Sequence, residues 1–359
     1  MAPHPEPIHT VRALWRPLCQ RWSPAALLLG LLLAPGLAAQ ERGAAFLTLQ
    51  VRDPVGGGPM DATLFYPCAD PAAGPTRLGP YLVQAGCGLP PAPGRFPLVA
   101  LSHGHGGSRL GHHDLATWLA RHGYVVASVD HPGDNFQDQS GFGTDTVLLG
   151  RPLQLSALID AALAHPLLGP RIDPTRIGAA GFSAGGYTVL ALAGARPRFE
   201  LAAAYCQRHP EDHAFCDLPA APRRHPEILT VADRRVRAVF AMAPLGIFFD
   251  RPALATVQVP VFLYAAAQDQ VLLVAENAAR VRDLLPAPPV YRSLPGVGHY
   301  VFLAPTPDLA ATLPELFRDP PGVDRTAIHR QINQDAQDFF DRELRGRLAG
   351  PSQKAGLVP

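Results

Sequence analysis

Ser183 stands in the segment R-I-G-A-A-G-F-S-A-G-G, between an apolar run typical of a strand and a run typical of a helix. Gly181 and Gly185 flank it two positions away on either side, and glycine has no β-carbon to obstruct a sharp turn. A G-x-S-x-G sequence at a strand-to-helix turn is typical of a nucleophile elbow, which exposes a serine hydroxyl at the end of a strand. We therefore predict that Ser183 is a nucleophile. The alternative is a glycine-rich turn that carries an ordinary serine.

A serine hydroxyl is a weak nucleophile until a neighbouring base takes its proton. His299 follows the last predicted strand in P-G-V-G-H-Y, and Asp269 follows the strand before it in A-A-A-Q-D-Q-V. An acid beside the histidine holds its tautomer and stabilises the imidazolium that forms. We predict that His299 is the base and Asp269 its partner. The alternatives are an ordinary loop histidine and an ordinary surface aspartate.

The tetrahedral intermediate of acyl transfer carries an oxyanion, which needs hydrogen-bond donors already in place. One predicted donor is the backbone N–H of Ala184, directly after the nucleophile. The loop S-H-G-H-G-G, which follows an apolar strand, is predicted to supply the other through the backbone N–H of His105. A metal site is the competing interpretation of this region, because it is crowded with potential ligands: His103, His105, His112, His113 and Asp114.

Three phenylalanines near these residues are candidates for a substrate pocket: Phe142, Phe182 and Phe302. Each fits a hydrophobic core equally well, because large apolar side chains are mostly buried in folded proteins. We also interpret residues 197–235 as an insertion near the mouth of the site. Because such an insertion could restrict the mouth, we expect small or short-acyl substrates.

The elements that must position these residues alternate between apolar runs and helix-like segments. The predicted strands span residues 45–52, 62–66, 96–102, 124–129, 176–181, 236–243, 259–266 and 290–294. The predicted helices span residues 115–122, 154–164, 187–195, 275–285 and 324–344, and residues 70–95 are predicted to form a surface loop. Such alternation indicates an α/β fold with a mostly parallel central sheet and helices on both faces. The first two strands are predicted to form a hairpin.

The 359 residues carry a net charge of +1, with 47% hydrophobic and 17% charged residues. This composition indicates a globular protein, and nothing in it favours a nucleic-acid partner. Residues 1–38 have the layout of a signal peptide, with arginines before a short apolar run and then small residues. An uncleaved anchor is the alternative. We expect an exported catalytic domain at 39–349, without a membrane span after cleavage, and a disordered tail at 350–359.

Four cysteines remain after residue 38, an even number in an oxidising compartment. We predict the bridges Cys68–Cys87 and Cys206–Cys216, since each pair brackets a short loop. The second bridge lies within the insertion. Free buried thiols are the alternative, because sequence alone does not determine pairing.

Taken together, these motifs resemble the α/β-hydrolase superfamily. More narrowly, they are similar to the secreted group of dienelactone-hydrolase-like proteins and plasma-type platelet-activating-factor acetylhydrolases. The similarity rests on L-S-H-G-H-G-G, D-H-P-G-D-N, G-F-S-A-G-G-Y and G-V-G-H-Y-V-F-L. Dienelactone hydrolases use a cysteine where this chain has Ser183. The acetylhydrolases place their acid after an earlier strand, where this chain has Ala243 and then Asp250, our second choice for the acid.

The resemblance implies a serine hydrolase that cleaves small-molecule carboxylic esters without a cofactor. A peptidase or amidase of the same fold is one alternative. A non-catalytic binding protein is the other.

Overall fold

The computed structural model describes residues 42–217, 228 and 230–346. Within these ranges, nine strands form one sheet in the order β11-β10-β9-β8-β6-β7-β2-β1-β5. The strands of this sheet are β1 (Gly43–Arg52), β2 (Pro59–Cys68), β5 (Gly86–Cys87), β6 (Phe96–Ser102), β7 (Val125–Val129), β8 (Ile172–Phe182), β9 (Val236–Met242), β10 (Val261–Ala266) and β11 (Val290–Leu294). A separate pair comprises β3 (Thr76–Leu78) and β4 (Tyr81–Val83).

The strands from β7 to β11 in this order run parallel, whereas β1 and β2 pair antiparallel as a hairpin and β2 joins the sheet antiparallel to β7. The helices are α1 (His113–Arg121), α2 (Asp145–Ala164), α3 (Ala184–Leu192), α4 (Leu201–Arg208), α5 (His213–Cys216), α6 (Arg251–Leu254), α7 (Ala278–Leu284), α8 (Pro307–Thr312), α9 (Pro314–Phe317) and α10 (Arg325–Arg345). The predicted α/β class, the mostly parallel sheet and the opening hairpin are confirmed.

Apolar side chains fill two layers, one on each face of the sheet. Along β6, Leu98 and Ala100 belong to one layer, while Val99 and Leu101 belong to the other. All seven residues of β6 are buried, as a strand covered on both faces requires. Helices α2 and α3 pack in the first layer, and α1 and α10 pack in the second. Strand β6 and its neighbours therefore form a rigid support whose carboxyl ends share one edge.

Two segments differ from the sequence prediction. Helix α2 begins at Asp145 instead of residue 154, because the Thr144 side chain caps the Val147 N–H and the helix continues through Pro152. Its apolar sequence, with a mean hydropathy of 1.4, is long enough to span a membrane, but most of it is buried inside the molecule. The predicted surface loop at 70–95 contains β3, β4 and β5, and Val83 and Ala85 within it are fully buried.

The predicted bridge Cys206–Cys216 is confirmed and joins α4 to α5. The predicted bridge Cys68–Cys87 is wrong, because Cys68 is a free buried thiol. Cys68 lies in the core layer on one face of the sheet, while Cys87 packs against the layer on the other face. The thiol of Cys68 donates to the carbonyl oxygen of Asp70 at 3.4 Å.

The predicted signal peptide and the predicted disordered tail lie outside the described residues, as does part of the insertion at 197–235.

Candidate active site

The turn between β8 and α3 places Ser183 in a strained backbone conformation, with φ at 56° and ψ at −119°. A non-glycine residue in such a region costs about 1–3 kcal/mol and is typical of functional sites. The two flanking glycines are needed for close packing. A β-carbon on Gly181 would lie 2.2 Å from the carbonyl oxygen of Gly185, and one on Gly185 would lie 2.0 Å from that of Ser102. Glycine at both positions therefore allows the backbone segments around Ser183 to approach each other closely.

Hydrogen bonds to the neighbouring strand hold this turn. The Ser183 N–H donates to the Met242 carbonyl at 2.9 Å, and the Leu245 N–H donates to the Ser183 carbonyl at 3.1 Å. Ala243, between these partners, also has a positive φ, of 40°. Hydrogen bonds between the serine turn and the segment after β9 thus stabilise an unusual positive-φ conformation in both.

The structure brings three of the sequence-predicted side chains together. Ser183 Oγ lies 2.9 Å from His299 Nε2, and His299 Nδ1 lies 2.7 Å from Asp269 Oδ2. The exposed fractions of these residues are 9%, 4% and 7%. When Nδ1–H donates to the carboxylate, Nε2 carries the lone pair that accepts the serine proton. The arrangement can therefore activate the hydroxyl of Ser183 as a nucleophile.

Backbone N–H groups hold the carboxylate of Asp269 in place. Its other carboxylate oxygen, Oδ1, accepts the N–H groups of Leu272 at 2.7 Å and Val271 at 3.0 Å. These bonds leave Oδ2 directed at His299. The second choice for the acid, Asp250, lies elsewhere: it caps α6 through the Ala253 N–H at 2.9 Å and forms an ion pair with Arg198.

The loop after β6 passes directly over the serine. A β-carbon on Gly104 would lie 3.3 Å from Ser183 Cβ and 3.0 Å from the Phe182 ring. The next residue is His105, whose backbone N–H has no hydrogen-bond acceptor among the described residues, and the same holds for Ala184 N–H. Two unpaired donors beside a nucleophile are what an oxyanion requires.

The histidines around this loop contact different partners. His103 contacts the Gly104 carbonyl and the His131 ring, and His105 contacts Asp134. His112 packs on Phe182, and His113 packs on Tyr81. Asp114 pairs with His329. Burial lowers the pKa of His103 to about 3 and that of His112 to about 4, so both are neutral at pH 7. Across the part of the chain that the structure describes, no group of three or more potential ligands is arranged to hold a metal ion.

The three candidate pocket phenylalanines are in different environments. Phe182 and Phe302 are buried in the core layer behind the histidine, with the Phe182 ring 4.7 Å from that of His299. They pack behind the His299 ring and leave little surface for a substrate. Phe142 is half-buried and stacks on the ring of His105, with 3.6 Å between ring centroids. Of the three, Phe142 is the one placed beside the predicted oxyanion loop with surface open to solvent.

A buried pair that the sequence prediction missed lies behind the loop. Arg151 Nη1 lies 2.6 Å from Asp134 Oδ2, and neither side chain is more than 1% exposed. Burial raises the pKa of Asp134, but the Arg151 guanidinium and the hydrogen bond from His105 together outweigh it, so the net pKa lies below the usual value. The signal in the sequence is a lone arginine inside the apolar run V-L-L-G-R-P-L of α2. A charge in such a run is rarely buried without a partner.

Comparison with known proteins supports a hydrolase fold. Residues 112–284 match the sequence profile of the prolyl oligopeptidase family (Peptidase_S9), just under half of the chain. The match includes Ser183 and Asp269 and ends before His299. A ferulic acid esterase from Streptomyces cinnamoneus is similar in structure, with a TM-score of 0.60 and 24% identity over 90% of this chain and 95% of that chain. This likeness concerns the fold. No curated protein matches the chain significantly.

Proposed function

We propose, from the premise that the chain belongs to the α/β-hydrolase superfamily, that it is a serine hydrolase of carboxylic esters. The single observation that carries the proposal is the chain of contacts from Ser183 Oγ to His299 to Asp269, at 2.9 and 2.7 Å. The strained turn at the serine and the unpaired N–H groups beside it support the same conclusion.

In the proposed mechanism, Ser183 attacks the ester carbonyl while His299 takes the hydroxyl proton. Asp269 stabilises the imidazolium, and the N–H groups of His105 and Ala184 hold the oxyanion. His299 then gives its proton to the leaving alcohol, which departs and leaves an acyl group on the serine. Water, deprotonated by His299, attacks the acyl-enzyme, and the acid is released as the serine hydroxyl forms again.

The direct test is the variant Ser183→Ala on a chromogenic short-chain ester. We expect a loss of about 10⁴-fold or more in kcat, because a serine triad acts as one unit. Ser293→Ala, an exposed serine on β11, is the matched control and should keep full activity. A fluorophosphonate probe should label the parent and the control but not Ser183→Ala. Full turnover by Ser183→Ala would refute the proposal.

We propose small or short-acyl esters as substrates, because the serine exposes only 9% of its surface and its base 4%. The stacked rings of Phe142 and His105 offer an apolar surface on the loop side of the site. The structurally similar protein is a ferulic acid esterase, so an aromatic ester belongs in the substrate panel. Measuring kcat/KM for nitrophenyl esters of increasing acyl length, together with methyl ferulate, tests this. A rise in kcat/KM up to long acyl chains would contradict the preference for short ones.

A peptidase or amidase is the second candidate, and the match to the prolyl oligopeptidase family favours it. Comparing a nitrophenyl ester with a nitroanilide of the same acyl group separates the two activities. We expect turnover of the ester alone. Absence of both turnover and fluorophosphonate labelling would favour a non-catalytic binding protein.

We also propose that residues 1–38 direct export and are removed. The arginines, the short apolar run and the small residues after it support this. Expressed with its native N-terminus in a bacterial host, the mature protein should begin near Ala39. A retained N-terminus in the membrane fraction would favour the anchor instead.

A further inference from the structure

The guanidinium of Arg151 contacts both sides of the proposed oxyanion site. It lies within α2, is 1% exposed, and donates from Nε to Thr188 Oγ1 at 3.1 Å. Its other nitrogens donate to Ser102 Oγ at 3.2 Å, to the carbonyl oxygen of His103 and to Asp134 at 2.6 Å. These hydrogen bonds therefore connect α2 to α3, to the end of β6 and the loop after it, and to the loop after β7.

One arm of this network reaches Ala184. Thr188 is one turn along α3, and its hydroxyl donates to the carbonyl oxygen of Ala184 at 2.8 Å. Because Arg151 donates to the same hydroxyl, the first turn of α3 is tied to α2. The N–H of Ala184, the first proposed donor, is at the start of that turn.

The other arm reaches His105. The Asp134 carboxylate accepts a hydrogen bond from the ring Nδ1–H of His105 and another from the backbone N–H of Gly106, the latter at 3.2 Å. The same carboxylate is paired with Arg151. The loop that carries the second proposed donor is thus held from behind, at two consecutive residues, by a side chain that the guanidinium fixes.

We propose that Arg151 and Asp134 are positioning residues that set the separation between the two oxyanion N–H groups. This proposal rests on the proposed esterase function. Buried ion pairs contribute little to stability when compared with apolar replacements, so stability alone gives weak reason for one here. The planar fork of arginine, with donors in fixed directions, is suited to holding two segments at a set spacing.

The test is Asp134→Asn, which keeps the size of the side chain but removes its charge. Misplacing one oxyanion donor should lower kcat by about 10²-fold and leave KM within a few-fold, since the donors act in the transition state. Affinity for a boronic acid inhibitor, which forms a tetrahedral adduct, should fall in parallel. The matched control is Asp233→Asn, a buried carboxylate paired with Arg235 away from the site, which should change neither value.

A second variant covers the case in which Asp134→Asn fails to fold. His105→Ala removes the ring contact to Asp134 from a half-exposed position while leaving the backbone N–H in place. We expect kcat to fall about 10-fold with an unchanged KM, less than for a whole lost donor. A folded Asp134→Asn with the parent's kcat, or an unfolded Asp134→Asn beside a fully active His105→Ala, would overturn the positioning role. Either result leaves the esterase proposal standing, because that depends on Ser183-dependent turnover by the parent.

A separate observation concerns the opposite edge of the sheet. A cavity of about 260 Å³ lies at the amino ends of β6 and β8, whereas Ser183 follows the carboxyl end of β8. Its lining consists of Arg42, Arg95, Phe96, Pro97, His122, Gly123, Arg176 and Arg345.

Four arginines line this cavity, and two of them form ion pairs with carboxylates. Asp173 pairs with Arg176, and Asp341 pairs with Arg345. In the part of the chain that the structure describes, neither Arg42 nor Arg95 forms a salt bridge: Arg42 lies over the Phe96 ring, and Arg95 donates to a backbone carbonyl and shares the attraction of Asp173 with Arg176. Among the described residues, the cavity thus has two more guanidinium groups than paired carboxylates.

The space between these arginines is kept open by a glycine. Gly123 has a φ of 85°, and a β-carbon on it would lie 3.0 Å from Arg345 and 3.4 Å from Arg42. Arg345 is itself fixed, with its guanidinium carbon 3.9 Å from the centre of the Tyr124 ring.

We infer that this cavity binds a small oxyanion such as phosphate, whose oxygens match the paired N–H donors of guanidinium groups. Titrating inorganic phosphate into the protein by calorimetry, at constant ionic strength in chloride, should give saturable binding. The double variant Arg42→Gln/Arg95→Gln should abolish it, while Arg237→Gln, an exposed arginine on β9, should leave it unchanged. No saturable binding to the parent, or equal binding to the double variant, would overturn the inference.

Discussion

At the scale of single residues, the candidate site depends on which aspartate faces His299. Two aspartates follow successive strands, and only contacts distinguish them. Asp269 directs one oxygen at His299 and uses the other to bind two backbone N–H groups. Asp250 instead caps a short helix and pairs with Arg198. The histidine's tautomer, and so its ability to accept the serine proton, depends on Asp269 alone of the two.

Replacing Asp269 by asparagine should therefore lower kcat by about 10⁴-fold, because an amide that donates to Nδ1 imposes the wrong tautomer on His299. Asp250→Asn is the matched control and should keep kcat within a few-fold, since asparagine also caps helices well. Ester turnover and thermal unfolding of both purified variants check this. Equal losses of kcat in the two would contradict the assignment.

At the scale of elements, the turn that carries Ser183 depends on how closely β6, β8 and α3 approach each other. The start of α3 lies against the end of β6 so closely that Gly185 has no room for a β-carbon beside the Ser102 carbonyl. The obstacle is backbone, which no side-chain rotation relieves. This contact also sets the position of the loop after β6 relative to Ser183.

Gly185→Ala should consequently destabilise the protein by about 3 kcal/mol or more, in the upper range for overpacking, and should also abolish ester turnover. Gly58→Ala is the control, because a β-carbon there meets nothing within 4 Å and its φ is not positive. That variant should stay within about 0.5 kcal/mol of the parent. Urea unfolding measures both, and a Gly185→Ala protein with parental stability would show that α3 can move away from β6.

At the scale of the whole molecule, the fold keeps several histidines neutral in its interior. Burial lowers the pKa of His103 to about 3 and of His112 to about 4, and it lowers that of His131 well below the usual value. In the unfolded chain these rings titrate near their ordinary pKa of about 6.5. Below that pH the unfolded state binds more protons than the folded state, so stability must fall as pH falls.

We expect the free energy of unfolding to decrease by about 2 kcal/mol per buried histidine between pH 7 and pH 5. Urea unfolding at both pH values measures the decrease. In His112→Gln this decrease should be smaller by the contribution of one buried histidine. In His213→Gln, a change at an exposed position on α5, the decrease should be the same as in the parent. A stability that is independent of pH over this range would show that these rings are protonated in the folded state as well.

The two core layers also explain which cysteine pairing was predicted correctly. Cys206 and Cys216 are on adjacent short helices, and their separation of 10 residues allowed the prediction. Cys68 and Cys87 are nearly as local in the sequence, but strands alternate their side chains between faces, and these two end on opposite sides of the sheet. Register, which sequence does not specify here, decided that outcome.

The sequence by itself determined the α/β class, the order of the parallel strands along the chain and the serine turn, because apolar periodicity and glycine spacing are local properties. It also pointed to Asp269 and His299, since loops after parallel strands end at one edge of the sheet. Only the tertiary structure decided which acid faces the histidine, that Phe182 and Phe302 are core, and that Arg151 and Asp134 lie behind the loop after β6. Those facts depend on contacts between segments far apart in the chain, and such contacts are set by packing and register, not by local pattern.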